Sequence, residues 1–433
     1  MHAWPPRFDN PSFVLRRAAV PAVLLEDPPR GAVPDREGLA HVDIAVAGGK
    51  VASIEPTTSG GDIDLDGNQV WPCFVDLHTH LDKGHIWPRQ ENPDGTRDGA
   101  IAAVADDRGR RWNADDVAAR MDWSLRTSYA QGTAAIRTHL DSGPPQHRIS
   151  WPVFARMREQ WRGRIAMQAV TILLLEDLLG PHGEELADLV AAHGGLLGAV
   201  VLPAPDLDVR LDRAFALAAA RGLDLDFHTD ESGNAAAMGL RAIAAAKRRN
   251  RFSGRVTAGH CCSLALQSED DIDRTIALVA EAGLSVVSLP MCNLFLQDRV
   301  PGRTPRWRGV TLLHEMRARG VPVSVASDNC RDPFYGYGDH DVLEVFREAA
   351  RIAHLDRPVG AWPAAVTRTP ADVMGLAPIG RIAVGAPADL LLFNARFYSE
   401  LLSRPQSDRV VLRSGLPIDR ALPSYRELDH LMS

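Results

Sequence analysis

Cysteine is scarce in this chain. Five residues in 433 (Cys73, Cys261, Cys262, Cys292, Cys330) make an odd number with no C-x-x-C spacing, which argues against a disulfide framework and for reduced thiols. Long apolar runs are missing as well. No stretch of about eighteen apolar residues offers a membrane span, and Met1 to Asn10 lacks the charged-then-apolar order of a signal peptide. A cytoplasmic protein with no membrane partner is the expectation. There is no basic excess either: 48 Lys and Arg against 55 Asp and Glu give a formal charge of -7, and the cations are scattered, so no nucleic-acid footprint is present. The expected partner is a small molecule.

What the chain does have is an apolar fraction of 45% and enough length for a large core plus an accessory domain. His41 to Ile54 (HVDIAVAGGKVASI) alternates apolar and polar residues about a Gly-Gly turn and predicts a hairpin. A second β-rich stretch occupies Ile379 to Asn394 and Val410 to Ile418. Together the two ends predict a small β-sandwich built from residues 1–70 and 379–433. Between them, eight short apolar segments recur, each followed by a helical pattern: Phe74–His78, Ala134–Thr138, Ile165–Thr171, Gly198–Leu202, Leu223–His228, Arg255–His260, Leu284–Leu289 and Val321–Asp328. That alternation predicts an α/β fold, a (β/α)₈ TIM barrel over residues 71–378. Lys83 to Trp112, rich in Pro, Gly and charge, reads as an extended loop over the barrel mouth.

Chemistry-bearing residues fall at the strand ends. His78 and His80 are two apart on the first strand and so share a face. His228, His260 and Asp328 end strands five, six and eight, on the face where barrel enzymes keep their active sites. Imidazoles with one carboxylate suit a single Zn²⁺ or Fe²⁺ with a position left for water, whose pKa then falls to roughly 7. Hydrolysis follows. Glu231, three residues after His228, can shuttle protons or can instead face a helix dipole. Asp328 can also accept the water proton, and His260 can ligate the metal or hydrogen-bond the nucleophile; both roles stay open. Lys83 and Arg89 on the long loop are candidate substrate contacts, Trp87 a candidate stacking partner, and Asn293 and Gln297 weaker candidates after strand seven. His85, His139 and His340 lie near strand ends too. For Cys261 and Cys262, beside His260, core packing is the expected role.

The segments FVDLHTHLDK, LDFHTDESGN, VTAGHCCSLA, PMCNLFLQDR and SVASDNCRDPFYGYGDHDVLE resemble cytosine deaminase and its relatives in the amidohydrolase superfamily over nearly the whole chain, and the H-T-H-L-D-K run is similar to that of triazine-ring amine hydrolases. The resemblance implies that His78, His80, His228 and Asp328 bind the metal, that Glu231 handles substrate protons and that His260 lies against the hydrolytic water. Superfamily members with two metals use a lysine on the fourth strand. GAVVLPAPD has none, which favours one metal. Cytosine deaminases read the pyrimidine with a glutamine where this chain has Leu174, and carry Asp and Trp where it has Asn329 and Phe334. The expected activity is therefore hydrolytic deamination of an amino-substituted N-heterocycle, a pterin, pyrimidine or aminotriazine rather than cytosine. A cyclic-amide or N-alkylamine hydrolase is the alternative, and a non-catalytic metal-binding protein the remote one. Relatives of this architecture commonly assemble, so a homo-oligomer is a further expectation.

Overall fold

The computed structural model describes residues 4–57 and 62–433, so residues 1–3 and 58–61 of the expected sandwich segment lie outside the described residues. All eight expected barrel strands are present: β1 (Phe74–Thr79), β2 (Thr133–Asp141), β3 (Ala166–Ile172), β4 (Leu197–Val201), β5 (Leu225–Thr229), β6 (Val256–His260), β7 (Ser285–Ser288) and β8 (Val323–Val325). They run in sequence order as a three-stranded sheet, β1-β2-β3, and a five-stranded one, β4 to β8, whose neighbours pair in parallel. Isolated parallel bridges join β3 to β4 at Val170↔Leu196, and join the end of β1 to the turn after β8 at Thr79↔Asp328. This is the TIM-barrel-like α/β arrangement that the strand–helix alternation predicts. The last strand is shorter than the expected Val321–Asp328, because Pro322 precedes it and Asp328 leaves it with φ 62°. Among the described residues, no helix is long and apolar enough to cross a membrane.

The chain forms two compact units. One takes the residues up to Asp76, Arg126–Ala135 and Asp341–Leu422; the other takes Leu77–Leu125, Ile136–His340 and Pro423–Ser433. The first contains two four-stranded sheets. One orders Lys50–Pro56, Leu39–Ala47, Phe13–Pro21 and Ile63–Asp64; the other orders Leu416–Pro417, Val410–Arg413, Leu390–Leu392 and Val70–Pro72. Val42, Ile44, Leu390, Leu392 and Leu412 share one core, so the expected hairpin buries one face within a sandwich made by both chain ends. Residues 341–378 group with this unit and the C-terminal tail with the other, a division different from the boundaries drawn at 70 and 379. The tail is fixed by Tyr425, stacked on Trp123 with ring centroids 5.0 Å apart and donating its hydroxyl to Asp339 Oδ1 at 2.8 Å.

The segment Lys83–Trp112 is not loop throughout. Arg97–Arg111 is a helix, started by Thr96 Oγ1 accepting from the Gly99 amide and ended among Arg108, Arg110 and Arg111, where cations favour the helix dipole.

Strand packing leaves no spare room at Gly198 on β4. Its amide donates to Thr171 Oγ1 at 2.8 Å, and an added Cβ would press into the Asp226 and Thr171 carbonyl oxygens, which cannot rotate away. Gly198→Ala is expected to lower the unfolding free energy by about 3 kcal/mol, the upper end for overpacking, read as a fall in the urea midpoint.

Candidate active site

β5 and β6 pair in register, Thr229 against His260 and His228 against Gly259, which brings two imidazoles to one rim. Gly259 is small for a reason: a Cβ there would lie 3.1 Å from His78 Cε1. On the other side of the ring, the Asp328 amide donates to the His78 carbonyl at 2.8 Å, and Thr79 Oγ1 donates to the Asp328 carbonyl at 2.8 Å. His260 and Asp328 both leave their strands in the left-handed region, φ 68° and 62°, at about 1–3 kcal/mol each for a non-glycine residue. That conformation turns each chain sharply at the rim.

Four of the expected residues converge closely. His78 Nε2 and His80 Nε2 stand 3.4 and 3.2 Å from Asp328 Oδ1, and His80 Nε2 is 3.5 Å from His228 Nε2. His78, His80 and Asp328 offer ligand atoms all within 4.8 Å of one another, as do His78, His228 and His260. The cluster is buried, yet both nitrogens of His78, Nδ1 of His80 and of His228, and both oxygens of Asp328 lack a hydrogen-bond partner. Burial lowers the histidines, His78 to about 4, and keeps them neutral, while it pushes Asp328 up to about 6. Neutral imidazoles with free lone pairs around one strained carboxylate are a donor set that fits a divalent cation.

Glu231 and Asp230 divide the two roles that sequence leaves open for a carboxylate here. Asp230 accepts from the Gly239 and Leu240 amides, both at 2.8 Å, and so starts the helix Gly239–Arg249. Glu231 instead faces the cavity, with Oε2 accepting from Arg97 Nε at 3.0 Å and Oε1 3.5 Å from His260 Nδ1. Burial raises its carboxyl, but His260, in its protonated form, and Arg97 together lower it more, and the balance is a carboxylate below its ordinary range. Asn293 Nδ2 lies 2.9 Å from His260 Nδ1 and leaves Nε2 without a partner. With the amide donating to Nδ1, the ring proton sits on Nε2.

A cavity of about 360 Å³ opens against His80, His228, His260, Asp328 and Glu231. Lys83, Leu174, Asn329 and Phe334 line it as expected from sequence. Lys83 Nζ lies 3.2 Å from Asp141 Oδ1 and 5.0 Å from the Phe334 ring centroid; Asn329 Nδ2 donates to Asp332 Oδ2 at 2.7 Å. Four expectations need correction. Arg89 does not line the cavity: its guanidinium is taken up by Asp107 at 2.8 Å, by Asp116 and by the Leu431 carbonyl. Trp87 is half-buried against Gly336, where its loop pairs with the Arg331 carbonyl. Gln297 packs under Gly309, also outside the cavity. Asn293 touches His260 but not the cavity wall.

Sequence reasoning missed Arg97, Ile101, Val104, Ala105 and Arg108, which line the cavity from one face of the unexpected helix, and Asp141, which joins Lys83 to Arg108 at 2.7 Å. The available signal was Thr96 at the N-cap with Asp98 in the first turn and arginines in the last. His139 is buried with its ring centroid 3.9 Å from that of His78, and all five cysteines are buried and free.

The model of the amidohydrolase family matches residues 166–416. Pterin deaminase of Rhizobium rhizogenes is 56% identical over 422 residues, 96% of each chain. N-isopropylammelide isopropyl amidohydrolase of a Pseudomonas species is 27% identical over 82% of this chain and 87% of its own. Among solved structures, 5-methylcytosine deaminase from Klebsiella pneumoniae with 5-fluorocytosine has the same fold, with a TM-score of 0.80 at 22% identity, over 95% of this chain and 98% of that one.

Because the Arg89 cluster is structural, Arg89→Met is expected to lower the unfolding free energy by about 2 kcal/mol, by leaving Asp107 short of its main cation. Metal content of the purified chain should stay that of the wild type. Denaturant titration and elemental analysis read the two effects separately.

Proposed function

Since the chain belongs to the amidohydrolase family, we propose that it is a hydrolytic deaminase of an amino-substituted nitrogen heterocycle, with a pterin as its substrate class. The observation that carries this reading is the convergence of His80, His228, His260, Asp328 and Glu231 on one cavity, in a chain 56% identical to a pterin deaminase. His78, His80, His228 and Asp328 are the residues that would hold one divalent cation, Zn²⁺ or Fe²⁺. Such a cation supplies Lewis acidity and makes water a competent nucleophile at neutral pH.

The protein groups divide the remaining work. Glu231, ionised in the resting site, takes a proton from the attacking water and passes it to the ring nitrogen beside the reacting carbon. His260, with its proton on Nε2, donates to the oxygen on which negative charge develops, and Asn293 holds the ring in that tautomer. A C–O bond forms, the remaining hydroxyl proton of the adduct passes to the exocyclic amine, the exocyclic C–N bond breaks as the ring carbonyl forms, and ammonia leaves. Arg97 keeps Glu231 aimed into the cavity. The apolar side of the cavity, with Ile101, Val104, Leu173 and Leu174, suits the face of a flat bicyclic ring. Leu174 offers no hydrogen bond with which to read a pyrimidine edge, and a cavity of about 360 Å³ has room for two fused rings. Five buried, unpaired cysteines fit a reducing cytoplasmic compartment.

Ammonia release from pterins, cytosine, isocytosine, aminopurines and aminotriazines tests the reading. Pterins are expected to give the highest kcat/KM, with activity abolished by a chelator. Release of an alkylamine from N-alkyl triazines with no ammonia from pterins would replace the proposal by an alkylamine hydrolase. Glu231→Gln is expected to lower kcat by about 10²–10⁴-fold, the range for a lost proton-transfer group, with metal content unchanged.

A further inference from the structure

A second group of buried ligand-type side chains lies outside the cavity. His85, from the loop after β1, meets Cys330 and His340, from the loop after β8, and the three offer ligand atoms all within 4.8 Å of one another. They are 1%, 2% and 3% exposed, and none lines the cavity. His85 Nε2 and His340 Nε2 are 3.2 Å apart. Two nitrogens bound at about 2.0–2.1 Å to one tetrahedral ion stand at nearly that separation. The Nδ1 atoms of both rings have no hydrogen-bond partner, so no neighbour fixes the tautomer through that nitrogen. Burial lowers both imidazoles, His340 to about 4, which leaves them neutral with lone pairs available.

Charge around the group does not oppose a cation as strongly as the arginines suggest. Arg120, which acts on His85, is engaged by Asp116 at 2.6 Å and by the Asp82 and Gly84 carbonyls. Arg331 lies over the Tyr425 ring, 4.3 Å from its centroid, and Asp339, next to His340, supplies negative charge on the same side. The edge of Trp123 closes the group, 4.3 Å from His85 between centroids.

We propose that His85, Cys330 and His340 form a second divalent-cation site of zinc type, separate from the one at the cavity. Two neutral imidazoles and one thiolate are a borderline-soft set, which selects Zn²⁺ over Mg²⁺ or Ca²⁺ and leaves a fourth position for water. On binding, Cys330 releases its thiol proton to solvent. The site joins two loops that already pair through the His85 amide to the Cys330 carbonyl at 3.0 Å and the Trp87 amide to the Arg331 carbonyl at 2.9 Å. Those loops begin at His80 and at Asp328. A cation between them holds the spacing of the cavity cluster from behind.

Protein expressed in cobalt-supplemented medium tests this without reference to activity. The wild-type chain is expected to carry two equivalents of Co²⁺ and a thiolate-to-cobalt charge-transfer band, which nitrogen and oxygen ligands do not produce. Cys330→Ser should lose the band and one equivalent, and His340→Gln, the second variant should the first fail to fold, should do the same. Cys292→Ser, whose sulfur lies 3.7 Å from Asn329 Oδ1 at the cavity wall, should keep both. His228→Ala should lose an equivalent and keep the band, which separates this proposal from the reading of the cavity. One equivalent and no band in the wild-type chain, or a band that survives Cys330→Ser, would overturn it and leave His85 and His340 as a hydrogen-bonded pair of neutral imidazoles.

Discussion

Packing four imidazoles and a carboxylate against one another at the rim, with most of their polar atoms unpaired, is the constraint on which the rest of this structure depends. A polar group buried without a hydrogen bond costs about 1–3 kcal/mol by mutational measures, and the cluster holds several. Such an arrangement persists only where the backbone leaves the side chains nowhere else to go. The register of β5 on β6, the hydrogen bond from the Asp328 amide to the His78 carbonyl and the left-handed turns at His260 and Asp328 are the means. A scaffold of buried parallel strands can carry that strain because its core is supplied elsewhere, by apolar strand residues such as Leu225, Phe227, Val286 and Val287.

The polar atoms that do find partners are those that orient chemistry. Asp230 is spent on a helix start, which frees its neighbour Glu231 to face the cavity. Asn293, buried and out of the cavity, touches His260 from behind. Lys83 cannot wander toward solvent, since Asp141 holds its ammonium and Phe334 covers it. Asn293 acts from outside the cavity, whereas Asp141 and Phe334 hold Lys83 from the cavity wall itself.

Strand ends were legible in the sequence because their two signals are local: an apolar run that stops, and a histidine or aspartate where it stops. That is why His78, His80, His228, His260 and Asp328 could be named and why they meet. Arg89, Trp87 and Gln297 were not legible, because what decides them is which distant group comes near, and nothing around Arg89 in sequence announces Asp107 and Asp116. The helix Arg97–Arg111 was masked for another reason. Its glycines and dense charge resemble a loop by composition, and its Thr96 cap carries the information that composition hides. The grouping of residues 341–378 with the sandwich unit rests on packing between segments remote in sequence, for which the local pattern has no signal.

The position of that helix separates selection from catalysis. Residues 97, 101, 104, 105 and 108 follow the spacing of a single helical face, and all five line the cavity, while Ala100, Ala103 and Asp107 are buried on other faces. The strand-end cluster is tied to backbone register, which sets where its side chains stand. The helical face carries no such tie. Its apolar members present area to a ring, and its two arginines reach inward to Glu231 and Asp141. Substitution at Ile101 or Val104 therefore changes the shape of the cavity wall, whereas substitution at Arg97 changes where the Glu231 carboxylate points. One element of the chain thus governs both the shape of the site and the aim of its carboxylate, and the two can vary independently because they sit on different turns of the same face.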